Sequence, residues 1–419
     1  MPLILALTSF VMTFLSPAEL FPQLAPYHLQ QVILFPAIAA TLAAWAMRTE
    51  GLRMPEDGLM IGLWFAVCVS LLTRFMLRDG WNAFLTFALA VCVYFLVAAN
   101  AFTIPRIRAI GLVLSLTAIL IALQGIFAYH FRPGSILVLE RLGTGFQVSR
   151  RLRGYGILND PNDLAQFLLV GLALLGQFWN KQQKLFSLIV LGVPACILVY
   201  AINLTGSRGA VFGLAVVLAV VASGRFGSLQ SLVLGVALLG VLVLSQFGGG
   251  REMSLHEASA GQRINAWGAG IQMLESNPLF GVGFSRFNDV YPDITAHNSF
   301  VLCFAELGFF GYFFWLALLI SAIRGMHRVV KLSSDQQVQR TVSSIRAALL
   351  GFVATAWFLS RTYSPTLYIL LGLAIAVVHL RQRENPKLEL VPRRWIAVTL
   401  ALQCVSVIAI YLTIRVRGL

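Results

Sequence analysis

Three polar segments each bring together side chains able to grip a phosphate or move a proton, in a chain of 419 residues that is largely apolar. The first, 150–163, carries Arg150, Arg151, Arg153, Asn159, Asp160, Pro161, Asn162 and Asp163. The second, 204–210, puts Ser207 and Arg208 behind Gly206. The third begins at Arg263, with Asn265 and Trp267, passes through Gly281 and Gly283, and ends at His297, Asn298 and Ser299. Arginine forks take phosphate oxygens in pairs, whereas lysine is a point charge, and the basic residues here are 27 Arg and 4 Lys. Backbone amides at a helix N-terminus form a ready anion site. Arg208, in the short outward turn that opens the eighth span, is therefore the best phosphate ligand in the chain. His297 stands at another helix start, where an imidazole can take or hold a proton near neutral pH. Arg150, Arg151, Arg153, Asn162, Ser207 and Asn298 are read as the surrounding substrate contacts.

What is missing narrows the chemistry. No D-x-D, E-x-x-H or H-x-x-x-H pair marks a divalent metal, so no metal site is expected. Neither a Walker A motif nor GxGxxG is present, so no nucleotide cofactor is expected and energy must come from the substrate itself. Cys68, Cys92, Cys196, Cys303 and Cys404 all lie in apolar runs, which argues against a disulfide framework or a zinc cluster. Of 17 acidic residues only Glu306 reads as lying deep in an apolar span. Proton-coupled transporters usually carry several intramembrane ionisable groups.

These segments must be positioned by membrane helices. The chain is 58% apolar and 11% charged, with a mean hydropathy of +0.81, far from the balance of a soluble domain. Apolar runs long enough to cross a bilayer fall near 3–18, 30–47, 58–76, 81–101, 109–129, 163–180, 185–203, 209–223, 228–247, 298–323, 345–361, 364–380 and 395–414. The expected fold is an all-α integral membrane protein, one polytopic domain over 1–419 with 12 or 13 spans. The runs at 3–18 and 209–223 are short, which leaves the parity open. The start of the chain lacks a basic n-region and an A-x-A site, so no removed signal peptide is expected.

The net charge of +14 follows the topogenic rule only in part. With the N-terminus in the cytoplasm, Lys181, Lys184, Lys331 and Lys387 all fall inside, with Arg106, Arg108, Arg324 and Arg328. The outer side keeps comparable positive charge, all of it arginine, which calls for a reason other than topology. Two outward segments are long, an Arg-rich loop at 130–163 and a larger one at 248–297 between the ninth and tenth spans. In the larger loop Ile264, Trp267, Ile271 and Leu274 form the stripe of an amphipathic helix. The sixth, eighth and tenth spans all begin on the outer side, each introduced by one of the three polar segments. That coincidence suggests one outward cavity lined by Arg and a single His, suited to a lipid-linked phosphate or pyrophosphate.

At these residues the chain resembles the O-antigen ligase and polymerase superfamily of bacterial envelope glycosyltransferases. The likeness rests on Arg153 and Gly154 with 159–162, on 205–210, on Arg263 with Trp267, on 281–284, and on 297–299 followed by Glu306, Leu307 and Gly308. It covers roughly 150–325. The resemblance implies an inner-membrane enzyme with a periplasmic active site, an undecaprenyl-pyrophosphate-linked glycan as donor, inversion at the anomeric carbon, and neither metal nor cofactor. In the ligases the acceptor is a sugar of the lipid A core; in polymerases it is the growing polymer, and in protein O-oligosaccharyltransferases a protein. The ligase reading is preferred, because the large loop comes late in the chain and no soluble domain is added. The family's functional arginines would fall on Arg208 and Arg263 and its histidine on His297. Membrane lipids are the other expected partners, and nucleic acid is not one. A lipid-linked glycan transporter would need a polar path to the inner side and often internal repeats, neither of which is visible.

Overall fold

The computed structural model describes residues 1–47, 52–142, 148–180, 182–244, 258–292, 294–384 and 395–416. It is 82% helical, so the all-α expectation holds apart from one hairpin. In chain order the longer elements are α1 (Pro2–Leu15), α2 (Leu29–Ala46), α3 (Glu56–Leu72), α4 (Leu77–Asn100), α5 (Ile104–Phe131), β1 (Val138–Leu142), β2 (Val148–Leu152), α6 (Pro161–Leu175), α7 (Lys184–Thr205) and α8 (Arg208–Phe226). They continue as α9 (Ser228–Leu244), α10 (Ala258–Ser276), α11 (Ser299–Leu332), α12 (Gln336–Ala356), α13 (Pro365–Glu384) and α14 (Trp395–Val416).

Every apolar run predicted from sequence falls on a helix. Seven helical stretches among the described residues are long and apolar enough to cross a bilayer unaided, and α1, α8 and α9 are shorter apolar helices. Few residues of α7 and α14 are buried although both helices are strongly apolar; such surface is stable only against lipid. The chain is a multi-pass membrane protein.

By packing, the chain divides into two compact units of interleaved sequence. The first comprises Met1–Thr49, Leu96–Arg251 and Val329–Thr355. Helix α6 is buried almost throughout at its centre. At Gly171 an added Cβ would lie 2.6 Å from Ala118, and Ser115 Oγ donates to the Gly171 carbonyl at 2.9 Å. Helices α5 and α6 thus approach closely through small residues, a common membrane solution. Gln166 Nε2 joins α6 to α12 through Thr355 Oγ1 at 2.7 Å and the Phe352 carbonyl at 3.2 Å.

The Arg-rich loop contains structure that the sequence reading left out. Strands β1 and β2 pair antiparallel with Glu140 opposite Arg150, and the two side chains form an ion pair at 3.0 Å. Leu152 is fully buried and packs on Gly125 of α5, where any Cβ would meet it at 2.8 Å. One apolar anchor and one cross-strand charge pair fix the register.

The second unit comprises Glu50–Phe95, Glu252–Arg328 and Ala356–Leu419. Its centre is α13, buried from Thr366 to Val378. Helix α11 is broken: Gly308 has φ 62° and ψ −168°, a conformation essentially confined to glycine. The tenth span is therefore a short leading segment and a longer one, not the single run predicted at 298–323. Glu56 and Asp57 are also buried, at the start of α3, so Glu306 is not the one acid out of water. Glu56 Oε2 meets His379 Nε2 at 3.0 Å and its Oε1 accepts from Ser321 Oγ at 2.5 Å.

Candidate active site

In the first unit, one end of the helices gathers the first two polar segments. Asp160 caps α6, accepting from the Asn162 amide at 2.8 Å, with Pro161 in the first turn; this is the start expected from the sequence. Ser207 caps α8, its Oγ accepting from the Ala210 amide at 3.4 Å, and Arg208 follows as the first helical residue. Gly206, at φ 62°, turns the chain from α7 into α8. Arg151 ties these ends together: Nε donates to the Thr205 carbonyl at 2.7 Å and Nη2 to Asn162 Oδ1 at 3.2 Å. The turn that opens α8 is thereby held beside the capped start of α6.

The loop arginines are more structural than their sequence suggested. Arg150 is paired with Glu140 and also lies 5.1 Å over the Tyr129 ring. Arg153 Nε donates to the Ile136 carbonyl at 2.6 Å. Both brace the hairpin, and Arg151 braces the turn. At the far end of α6 sit other cations. Arg340 donates to the Trp179 carbonyl at 2.7 Å, and Arg108 lies 5.1 Å over Phe178.

In the second unit the third polar segment forms a cluster around the start of α11. Asn298, fully buried, accepts from the amides of Phe300 and Val301 at 2.9 and 3.2 Å. Asn298, rather than His297, is thus the helix cap. Its Nδ2 has no partner among the described residues, a buried donor left over for a ligand. His297 precedes it at φ 46°, half-buried; non-glycine residues at positive φ are uncommon and often functional. On α10 the predicted stripe is buried. Trp267 Nε1 donates to the Ala296 carbonyl at 3.0 Å, which fixes the residue before His297. Arg263, half-buried, is one helical turn before Trp267 and so shares its face.

The glycine motif is an interlock between two backbones. The amides of Val282 and Gly283 donate to the carbonyls of Ala305 and Glu306 at 2.9 and 3.0 Å. In return the amides of Phe309 and Phe310 donate to Pro278 and Leu279 at 2.8 and 3.0 Å. The break at Gly308 is thereby satisfied by the turn over 277–284. A Cβ at Gly281 would meet Glu306 and Leu307 backbone at 2.3–2.5 Å, and one at Gly308 would meet Leu279 and Phe280 at 2.4–2.5 Å. Glu306 is 2% exposed and accepts from the Phe287 amide at 3.2 Å and from Tyr363 at 2.9 Å.

Several supporting residues escaped the sequence reading. Arg74 Nη2 donates to the Gly281 carbonyl at 3.1 Å, and Ser70 Oγ accepts from the Phe284 amide at 3.0 Å. Beyond α12, the Arg361 amide donates to Ser299 Oγ at 2.8 Å, and Thr362 Oγ1 donates to the Ser299 carbonyl at 2.7 Å. The signal was available in the unbroken polar run at 360–365 between two apolar runs. The apolar run expected at 345–361 covers its start, whereas α12 ends at Ala356.

Residues 193–316 match the family model described as O-antigen ligase. The likeness of the chain to that family rests on this segment. The matched stretch includes Ser207, Arg208, Arg263, His297, Asn298 and the Gly281–Gly308 interlock. No curated protein matches the chain. Members of this family are glycosyltransferase-like enzymes.

Proposed function

We propose that this protein is an O-antigen ligase family member and moves a glycan from an undecaprenyl-pyrophosphate carrier to the lipid A core at the periplasmic face of the inner membrane. One observation supports this most: the family match runs without interruption from the capped, Arg-bearing start of α8 to the His297 turn. The acceptor hydroxyl attacks the anomeric carbon while the bond to the pyrophosphate oxygen breaks, giving inversion. The electron pair passes to the leaving pyrophosphate, and Arg208, Arg263 and the amides opening α8 stabilise the growing charge; preorganised charge of this kind is often the largest catalytic contribution. His297 removes the acceptor proton, and Asn298 Nδ2 orients a substrate oxygen. Arg151 and Asn162 hold the turn before α8 in place, Arg150 and Arg153 brace the hairpin beside it, and from there the four reach toward the substrate. No step calls on a metal or a cofactor.

The lipopolysaccharide of a deletion strain tests the acceptor. Loss of a ligase leaves unsubstituted lipid A core on the gel, with polymer retained on its carrier. A band of core bearing one repeat unit would instead mark a polymerase and overturn the ligase assignment.

A further inference from the structure

The first unit also encloses a cavity of about 390 Å³ between the end of α5, the short helix Pro17–Leu20 and the segments flanking the hairpin. That volume falls within the roughly 300–1,000 Å³ of small-molecule sites. Its walls are held by bonds between distant parts of the chain. Glu19 Oε2 accepts from the Gly156 amide at 2.9 Å, and the Arg153 amide donates to the Leu137 carbonyl at 2.9 Å. Ala128, Leu137, Val138 and Tyr155 form a small buried core at its edge. The cavity is therefore built before any ligand arrives.

Its lining mixes hydrogen-bonding groups with flat apolar ones. Glu19, Gln124, Arg132 and Tyr155 contribute polar atoms, and Phe127 and Leu137 apolar surface. Gln124 Oε1 is buried with no hydrogen-bond partner, an acceptor waiting for a donor. Burial raises the Tyr155 phenol above its ordinary value, with Arg132 opposing and Glu19 reinforcing the effect, so it stays a neutral hydroxyl. One carboxylate and one guanidinium balance, which gives a diphosphate no advantage here. A neutral polyhydroxylated ring suits the lining better. Its hydroxyls donate to Gln124 and Glu19 and accept from Arg132, while its C–H face covers an aromatic ring.

We propose that this cavity is a carbohydrate subsite that holds a saccharide unit of one of the two glycans. The identity of that glycan rests on the function proposed above; the binding itself does not. The full-length protein in detergent micelles is titrated with two probes: oligosaccharide freed from lipid A, and polysaccharide freed from its carrier, both by mild acid. One probe is expected to bind with saturation transfer to its ring protons, and which one it is names acceptor or donor. Gln124→Met and Glu19→Gln should each weaken that binding about tenfold, the effect of one lost hydrogen bond. If Glu19→Gln fails to fold, Gln124→Met carries the test, because Gln124 Oε1 bonds to no protein group. Unchanged affinity in a folded Gln124→Met variant, binding of neither probe, or displacement by glycerophosphoethanolamine would overturn the subsite. Sugar binding that is sensitive to Gln124, in a protein that transfers no glycan, would instead keep the subsite and remove the transferase reading.

Discussion

Arg208 occupies the first position of α8 behind the Ser207 cap, and the reading that it grips the pyrophosphate is testable by charge-conserving substitution. Lysine keeps the charge and loses the fork. Arg208→Lys and Arg263→Lys are each expected to lower transfer about a hundredfold, around 3 kcal/mol of transition-state stabilisation, at unchanged expression. Wild-type rates in both would reduce these arginines to surface charges. His297 poses a different question, because its backbone is left-handed and a substitution could act through strain alone. Asn tolerates that conformation, so His297→Asn separates backbone from chemistry. With a general base at His297, both His297→Asn and His297→Gln should slow single-turnover transfer by roughly a hundredfold or more while donor binding persists. The sign of the pH effect follows: only neutral imidazole accepts a proton, so the wild-type rate falls on acidification and both variants lose that dependence. A variant that keeps the wild-type pH profile would place the base elsewhere.

Among the elements, the interlock at Gly281 and Gly308 is the least tolerant of change. An alanine at either position meets backbone that has no rotamer through which to escape, on top of a φ that glycine alone adopts readily. Gly281→Ala and Gly308→Ala should each cost about 3 kcal/mol or more, read as a lowered melting temperature. Gly192→Ala, where nothing lies within 4 Å, should leave it unchanged. The sequence announced both glycines, and it placed the helices because apolar runs in a bilayer have few alternatives. The cap at Asp160 was legible for the same local reason. Less visible was everything that depends on a distant partner. The break inside α11 is satisfied only by the turn at 277–284, the hairpin forms only because Leu152 finds Gly125, and Arg151 faces a carbonyl more than fifty residues away. An unbroken hydropathy profile carries no mark of any of these.

For the whole molecule the open quantity is sidedness. In the first unit, α6 alone separates the Arg151 tie from the Arg340 and Arg108 end by roughly 20 Å of helix, with cations at both ends. Among the described residues of this unit, Lys184 opens α7 at the Arg340 end. The positive-inside rule then assigns that end to the cytoplasm. Whole-cell labelling with a thiol probe confined to the periplasm should modify Leu279→Cys, at an exposed position, and miss Lys331→Cys. The reverse pattern would invert the orientation and with it the periplasmic assignment of His297.

The interlock of 277–284 with the break in α11 also predicts how the backbone trades hydrogen for deuterium. Loops ordinarily exchange first, because water reaches their amides. Here the amides of Val282, Gly283, Phe309 and Phe310 close bonds between the turn and the broken part of α11. Opening either stretch alone would strand four donors and four acceptors in surroundings that offer no replacement. These four amides should therefore exchange together, in a single late step and at the rate of the surrounding core. A peptide-level exchange map would then report turn and helix break as one cooperative unit, although they lie some thirty residues apart in sequence.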